Sequence, residues 1–206
     1  MAEPKRIGVA LLAAGASKRF GDSDKLAADL HGRSLGEYAA EALPFERCSQ
    51  AWVIVSQSGH SCEAAWRAYG LSPVLNEEAG RGMGTSVALA ARLAKEARCD
   101  GVVIALADMP FVLREHFDAL LSAFEQGAAI AASAKDQTRL PPAIFAAACF
   151  DEMQRSQGDS GARNLIQICQ IVACPPETLV DIDTEHDLRR YGQEVCRPPT
   201  DYPKGR

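Results

Sequence analysis

Residues 7–26 read Ile7-Gly8-Val9-Ala10-Leu11-Leu12-Ala13-Ala14-Gly15-Ala16-Ser17-Lys18-Arg19-Phe20-Gly21-Asp22-Ser23-Asp24-Lys25-Leu26, and this stretch decides the fold. Its first third, residues 7–13, is apolar without polar alternation, as expected of a strand covered on both faces in a parallel sheet. The pattern then switches to small residues, Gly15 and Gly21, and the cations Lys18, Arg19 and Lys25. In an open α/β sheet, ligands bind beyond the carboxyl ends of the strands, so this loop is the first place to look for a site. Small residues let a ligand approach the backbone, and successive N–H groups in a turn make an anion-binding hollow. Arginine grips phosphate with two prongs and lysine acts as a point charge. The loop is not a Walker P-loop, because five residues separate Gly15 from Gly21 and no Gly-Lys-Ser/Thr follows. The chain has no G-x-G-x-x-G, the dinucleotide fingerprint. Either glycine alone reads as an ordinary solvated turn; the ensemble after the first strand reads as a ligand loop.

Outward from this loop, residues 51–55 (AWVIV) and 101–107 (GVVIALA) are further strand-like runs, with weaker candidates at 73–75, 128–132, 142–145 and 179–182. Helical patterns lie between them. Ser34 and Glu37 form a capping box that opens a helix over 35–43. Residues 85–97 place Val87, Ala90, Ala91 and Ala94 on one stripe. Helices are also expected over 115–124 and 161–169, and a capping box at Thr184 and Asp187 opens a last one toward Tyr191. The order β-α-β-α-β predicts an α/β fold with right-handed crossovers. One domain over residues 1–195 is expected, followed by a proline-rich, polar tail, 196–206, that frays.

Composition narrows the function classes. At 206 residues the chain is one domain in length and buries roughly 70% of its unfolded surface without needing a staple. With 47% hydrophobic and 24% charged residues it is neither disordered nor collagen-like. The net charge of −5 and the lack of a basic stripe argue against nucleic acid as a partner. No apolar run approaches the roughly 18 residues of a membrane helix, so no membrane partner is expected. Residues 1–6 lead straight into the first strand, leaving no room for a signal peptide, and a cytoplasmic location is expected. The seven cysteines are odd in number and form no C-x-x-C; Cys169 and Cys174 have four residues between them. Small buried thiols in a reducing compartment are favoured over a structural metal site.

Three more segments carry polar chemistry. Residues 76–86 (NEEAGRGMGTS) put alternating glycines before a helix with Thr85 or Ser86 near its cap, which suits a polar or anionic ligand and equally an ordinary capped helix. Asp108 ends the most apolar strand, and Pro110 stops that strand from continuing. A carboxylate so placed is able to hold Mg²⁺, which takes one or two carboxylates plus substrate phosphates; an N-cap is the alternative. Asp181 and Asp183 alternate along an extended stretch and should point to opposite faces, so one of them reaches the centre. His186 reads as a helix-surface residue.

These segments resemble the MobA-like nucleotidyltransferases, which include the molybdenum-cofactor cytidylyl- and guanylyltransferases. Residues 12–25 are similar to the family signature L-x-A-G-x-S-x-R-M-G-x-x-K, with Phe20 in place of methionine and a variant spacing from Gly21 to Lys25. Residues 106–110 match L-x-D-x-P. Residues 181–188 resemble D-I-D-T-P-E-D-L with Glu185 where proline is usual, and 158–163 resemble G-D-x-G-A-R. The matches run in order from residue 7 to about 190. The resemblance implies a single-domain, Rossmann-like three-layer sandwich with a mostly parallel sheet, like the nucleotide-diphospho-sugar transferases. It implies a nucleotide pocket lined by Leu12, Ala13, Ala14 and Gly15, with Arg19 and Lys25 on the phosphates and Asn76, Gly82 and Ser86 around base and ribose. It implies that Asp108 binds Mg²⁺, with Asp183 preferred over Asp181 as second ligand, and that residues 158–163 shape the acceptor pocket. Lys18 falls at a variable position.

The implied reaction is transfer of a nucleoside monophosphate from CTP or GTP to a phosphorylated acceptor of the molybdopterin type, releasing pyrophosphate. Arg19, Lys25 and Asp108 would carry it, and a recipient molybdoenzyme or its chaperone would take the product. Ala13-Ala14-Gly15 follows the A-A-G of cytidylyltransferases rather than the A-G-G of guanylyltransferases, favouring CTP. The Gly-His-Pro of many cytidylyltransferases is absent from residues 139–145 (RLPPAIF), which leaves the acceptor open. These loops contain neither a G-x-S-x-G elbow nor a cysteine, which suits direct transfer without a covalent intermediate. A transferase acting on a sugar phosphate or another small phosphorylated alcohol is the runner-up. A non-catalytic cofactor-binding assembly factor is the alternative of another class, and the missing dinucleotide fingerprint counts against a dehydrogenase.

Overall fold

The computed structural model describes residues 4–15, 20, 24–158 and 165–194. The first half of the chain runs β1 (Ile7–Ala13), β2 (Asp29–Leu30), β3 (Arg33–Ser34), α1 (Leu35–Glu41), β4 (Gln50–Val55), α2 (Glu63–Ala68), β5 (Ser72–Leu75) and α3 (Met83–Glu96). The second half runs β6 (Gly101–Leu106), α4 (Arg114–Glu125), β7 (Ile130–Lys135), β8 (Thr138–Ala146), α5 (Phe150–Met153), β9 (Gln170–Val172) and α6 (Glu185–Glu194). Seven strands form one sheet in the order β5-β4-β1-β6-β8-β7-β9, and β2 and β3 make a separate short ribbon. In the main sheet only β8 runs against the others.

The apolar run of β1 has the predicted boundaries, and its alternation shows why no polar residue interrupts it. Val9, Leu11 and Ala13 enter a core shared with α1, α2 and α4, whereas Ala10 and Leu12 enter a second core shared with α3 and α5. β6 divides likewise, Val103 and Ala105 to one face and Val102 and Ile104 to the other. The result is the three-layer α/β sandwich expected of the sequence. The Val87, Ala90, Ala91 and Ala94 stripe of α3 is buried as predicted. Phe117, Leu120, Leu121 and Phe124 of α4 seal the opposite face, each buried side chain contributing about 1.5–3 kcal/mol.

Differences from the expected elements lie in the second half and at short elements. The strand expected over 128–132 is shifted to β7, and that over 142–145 extends into β8, because the two pair as an antiparallel hairpin with a register shift at Ala132 and Ser133. Residues 179–182 are not a strand. Leu179, Val180 and Ile182 are buried, yet the segment crosses the end of β6 rather than joining the sheet, and the Ile182 N–H donates to the Asp108 carbonyl at 2.9 Å. β9 takes the sheet edge instead; it has three residues, and Ile171 is half-exposed, too little pattern to signal a strand. α2 buries only Trp66, which gives no periodicity to read. Of the helix expected over 161–169, residues 161–164 lie outside the described residues and Leu165–Ile168 form a 3₁₀ turn. The helix expected over 35–43 ends at Glu41. The expected tail, 196–206, lies outside the described residues.

The first turn of α3 is pinned from outside. A Cβ on Gly84 would sit 2.8 Å from Gln157 N, Gln157 C and Gly158 O, all backbone atoms that cannot swing away. Gly84→Ala gains helix propensity and still loses about 1–3 kcal/mol of stability to overpacking. Urea unfolding of the variant measures the loss, and an unchanged or raised midpoint would show that residues 157–158 do not pack there.

Candidate active site

The carboxyl ends of β1, β5 and β6 gather the polar residues singled out by sequence. Leu12 and Ala13 close β1 and are buried on opposite faces of the sheet. The Leu12 carbonyl accepts from Ala107 N at 3.0 Å, tying the end of β1 to the residue before Asp108. Ala14 and Gly15 follow, and the Cβ direction of Gly15 meets nothing within 4 Å. Arg19, with residues 16–18, lies outside the described residues.

Lys25 is the centre of the arrangement. It starts the 3₁₀ turn Lys25–Ala27, whose N-cap Asp24 accepts from the Leu26 N–H at 3.0 Å. Only 7% of Lys25 is exposed. Its Nζ donates to Asp108 Oδ2 at 2.8 Å and to Asp183 Oδ1 at 2.9 Å. Residues far apart in sequence thus meet at one ammonium, and each is delivered by backbone. Asp108 follows the end of β6. Asp183 follows Ile182, whose N–H is bonded to the Asp108 carbonyl. Thr184 then caps α6 reciprocally: its N–H and Oγ1 donate to Asp187 Oδ2 at 2.9 and 2.7 Å, and Asp187 N donates back to Thr184 Oγ1 at 3.1 Å. Those bonds hold the Asp187 carboxyl below its usual pKa, so Asp187 is occupied as a cap. Of the two alternating aspartates, Asp183 is the one brought to Lys25; Asp181 is exposed and acts on Asp108 only through its charge.

Electrostatics follow from the crowding. Burial by itself would push the Lys25 ammonium down, but Asp108 and Asp183 outweigh it and hold its pKa above the ordinary lysine value. Burial pushes the Asp108 carboxyl up, Lys25 pulls it back only in part, and Asp181 and Asp183 add to the rise. Among the described residues, one ammonium faces two carboxylates with a third nearby, which leaves negative charge in excess, and the donors are hard oxygens. Among the described residues no group of three His, Cys, Asp or Glu side chains is placed to hold a metal ion. Mg²⁺ needs only one or two carboxylates beside substrate phosphates, so Asp108 and Asp183 fit it.

A second cluster lies at the end of β5. Asn76 is buried, and its Nδ2 donates to Thr85 Oγ1 and Ser86 Oγ, both at 2.9 Å. Its Oδ1 accepts from Glu78 N at 3.0 Å. Both amide hydrogens are therefore engaged with the first turn of α3, and Asn76 fixes that turn against the strand end. Gly82 at φ 106° is the N-cap of α3, in a region that favours glycine, and its carbonyl accepts from Thr85 Oγ1 at 2.9 Å. Thr85 joins Asn76 to Gly82, a role whose sequence signal was the Thr-Ser pair at the helix start. In the 158–163 segment, Gly158 has φ 64° and residues 159–163 lie outside the described residues. Burial raises the thiol pKa of each described cysteine, that of Cys48 to about 12, so none of these is poised as a thiolate.

Lys25→Met leaves Asp108 and Asp183 facing each other without the ammonium. We expect a loss of about 2 kcal/mol at pH 7, below the full cost of breaking a buried pair because both carboxylates keep some solvent. The Asp108 pKa, already raised, rises further in the variant. A carboxyl with a raised folded-state pKa gains folding stability as pH falls through that value, so the gap from the parent protein narrows at pH 5. Urea denaturation at both pH values checks this; an equal gap at both would exclude an unpaired carboxylate as the cause.

Comparison with known proteins accords with this geometry. The family model for the MobA-like NTP transferase domain matches residues 9–174. The chain is 32% identical over 205 residues to the purine catabolism protein PucB of Bacillus subtilis (strain 168), covering 92% of this chain and 98% of PucB. It is 29% identical over 195 residues to the nicotine blue oxidoreductase of Paenarthrobacter nicotinovorans, covering 87% of this chain and 93% of that protein. Among solved structures, a nucleotidyl transferase from Methanothermobacter thermautotroptrophicus superimposes with a TM-score of 0.76 at 17% identity, over 92% of this chain and 97% of the other, so the two share a fold. With the family model spanning most of the chain, and its strand-end loops carrying Lys25, Asn76 and Asp108, the protein belongs to the MobA-like NTP transferase family.

Proposed function

We propose that the protein transfers a nucleoside monophosphate, CMP in preference to GMP, from the triphosphate to a phosphate oxygen of a molybdopterin-type acceptor, with loss of pyrophosphate. The observation that carries the proposal is the Lys25 ammonium between Asp108 and Asp183 at the carboxyl end of the sheet. The attacking acceptor oxygen forms a bond to the α-phosphorus as the bond to the β-phosphate oxygen breaks, and no protein nucleophile intervenes. Such a reaction depends on positioning and on charge stabilisation. Lys25 exchanges a carboxylate for the β- and γ-phosphates and stabilises the leaving pyrophosphate, a role that the sequence resemblance also gives to Arg19. Ala13, Ala14 and Gly15 leave room for base and ribose to approach the backbone. Asp108 and Asp183 would hold Mg²⁺, which when bound offsets the charge on the phosphate oxygens. The A-A-G sequence at residues 13–15 supports CTP as the donor. The family's resemblance to molybdenum-cofactor enzymes supports the acceptor class.

A second reading, an oxidoreductase, is favoured by the name of one relative and opposed by the missing G-x-G-x-x-G. The readouts separate the two, because only the transferase liberates pyrophosphate. With Mg²⁺ and CTP at 100 times its Kd, the protein should gain about 2.7 kcal/mol of stability, seen as a rise in melting temperature. Pyrophosphate should appear only when acceptor is added, and Asp108→Ala should lower turnover at saturating Mg²⁺ by a factor of about 100 or more. A melting shift with GTP alone would reverse the base assignment, and near-normal turnover of Asp108→Ala would remove Asp108 from the metal site. A shift with NADH or NADPH and none with any triphosphate would favour the oxidoreductase.

A further inference from the structure

The 3₁₀ turn that carries Lys25 has three residues, too few to fix itself by its own backbone bonds. The connection from β4 to α2 lies against it and supplies what it lacks. Asp24 Oδ2 accepts from Ser61 Oγ at 3.0 Å and lies 3.1 Å from His60 Nε2. Cys62 Sγ donates to the Leu26 carbonyl at 3.2 Å. These bonds land on the residues either side of Lys25. His60 is itself fixed. It is buried, and its Nδ1 accepts from Cys62 N at 3.1 Å, which leaves the ring proton on Nε2, facing Asp24. Its ring packs on Trp66 at 4.6 Å, and Trp66 Nε1 donates to the Gly36 carbonyl at 2.9 Å. A buried histidine with satisfied nitrogens is ordinarily part of a core. Here its donor faces the residue that caps the Lys25 turn.

We infer that Asp24, His60 and Ser61 are positioning residues for Lys25, holding its turn so that the ammonium meets the phosphates at the carboxyl end of the sheet. The functional half of this inference rests on the nucleotidyl-transfer reading; the structural half does not. A lysine side chain carries about 2 kcal/mol of rotamer entropy, so its reach is used well only when its Cα is fixed. None of the three residues touches the substrate in this scheme; each acts through Lys25.

The test uses the full chain and two readouts. In lysine-selective ¹⁵N spectra without ligand, the Lys25 ammonium is held in two ion pairs and should give a resonance that Lys25→Met removes. His60→Ala should broaden or shift that resonance, and His60→Gln, which keeps a donor toward Asp24, should restore it. Ser61→Ala, at an exposed position that leaves the His60–Trp66 packing intact, should shift it less. Affinity for Mg²⁺–CTP should fall about tenfold in His60→Ala and recover in His60→Gln. A folded His60→Ala with an unchanged Lys25 resonance overturns the inference. If the parent protein binds no nucleotide, the nucleotidyl-transfer reading falls, and the ammonium resonance alone decides for or against the positioning role.

Discussion

An ammonium enclosed by two carboxylates is the constraint around which the site is built. Lys25 could not be buried alone, because a lone buried charge costs several kcal/mol. Asp108 and Asp183 make its burial possible. Their separations of 2.8 and 2.9 Å bind three parts of the chain: the loop after β1, the end of β6, and the segment before α6. Among the described residues the cluster is also left with an excess of negative charge. In the proposed reaction that excess would favour a bound cation, and a triphosphate's oxygens would take the place of a carboxylate around Lys25.

The sheet sets where this happens. Parallel strands put their carboxyl ends on one edge, so Ala13, Val55, Leu75 and Leu106 all finish on the same side. Asn76 and Asp108 stand just beyond two of these ends, and Ala14 and Gly15 beyond a third. Asn76 N donates to the Val55 carbonyl at 2.8 Å, continuing the ladder past β5. The irregular segment 179–182 is held by the Ile182–Asp108 backbone bond and by burial of Leu179, Val180 and Ile182. Apolar side chains thus hold in place a polar turn that has little stability of its own.

This division explains what was legible in the sequence. β1 and the buried stripes of α3 and α4 could be read because burial on two faces, or on one helical face, leaves a pattern in composition. Asp108 could be read because a carboxylate directly after a fully apolar strand is conspicuous. The path of residues 179–182 could not, because a buried apolar run looks the same whether it pairs in a sheet or crosses a strand end. β9 and α2 were invisible because each buries too little to repeat. The choice between Asp181 and Asp183 could be narrowed by alternation to one of the two, while which one faces Lys25 depends on how Ile182 anchors. The grip of His60, Ser61 and Cys62 on the Lys25 turn joins residues 24–26 to 60–62, and no local pattern encodes it.

The proposed direct transfer and the shape of this site also account for one another. A covalent route would need an activated nucleophile, and burial keeps the thiol of every described cysteine protonated, with Cys48 at about 12. Among the described residues the centre contains one fixed cation, Lys25, and the carboxylates of Asp108 and Asp183. In the proposed transfer they would stabilise charge on a leaving pyrophosphate rather than make a new bond to the protein. In that chemistry rate depends on where Lys25 stands to within a fraction of an ångström. On that proposal, a network that secures the residues flanking Lys25 is as much a part of the catalytic design as the lysine.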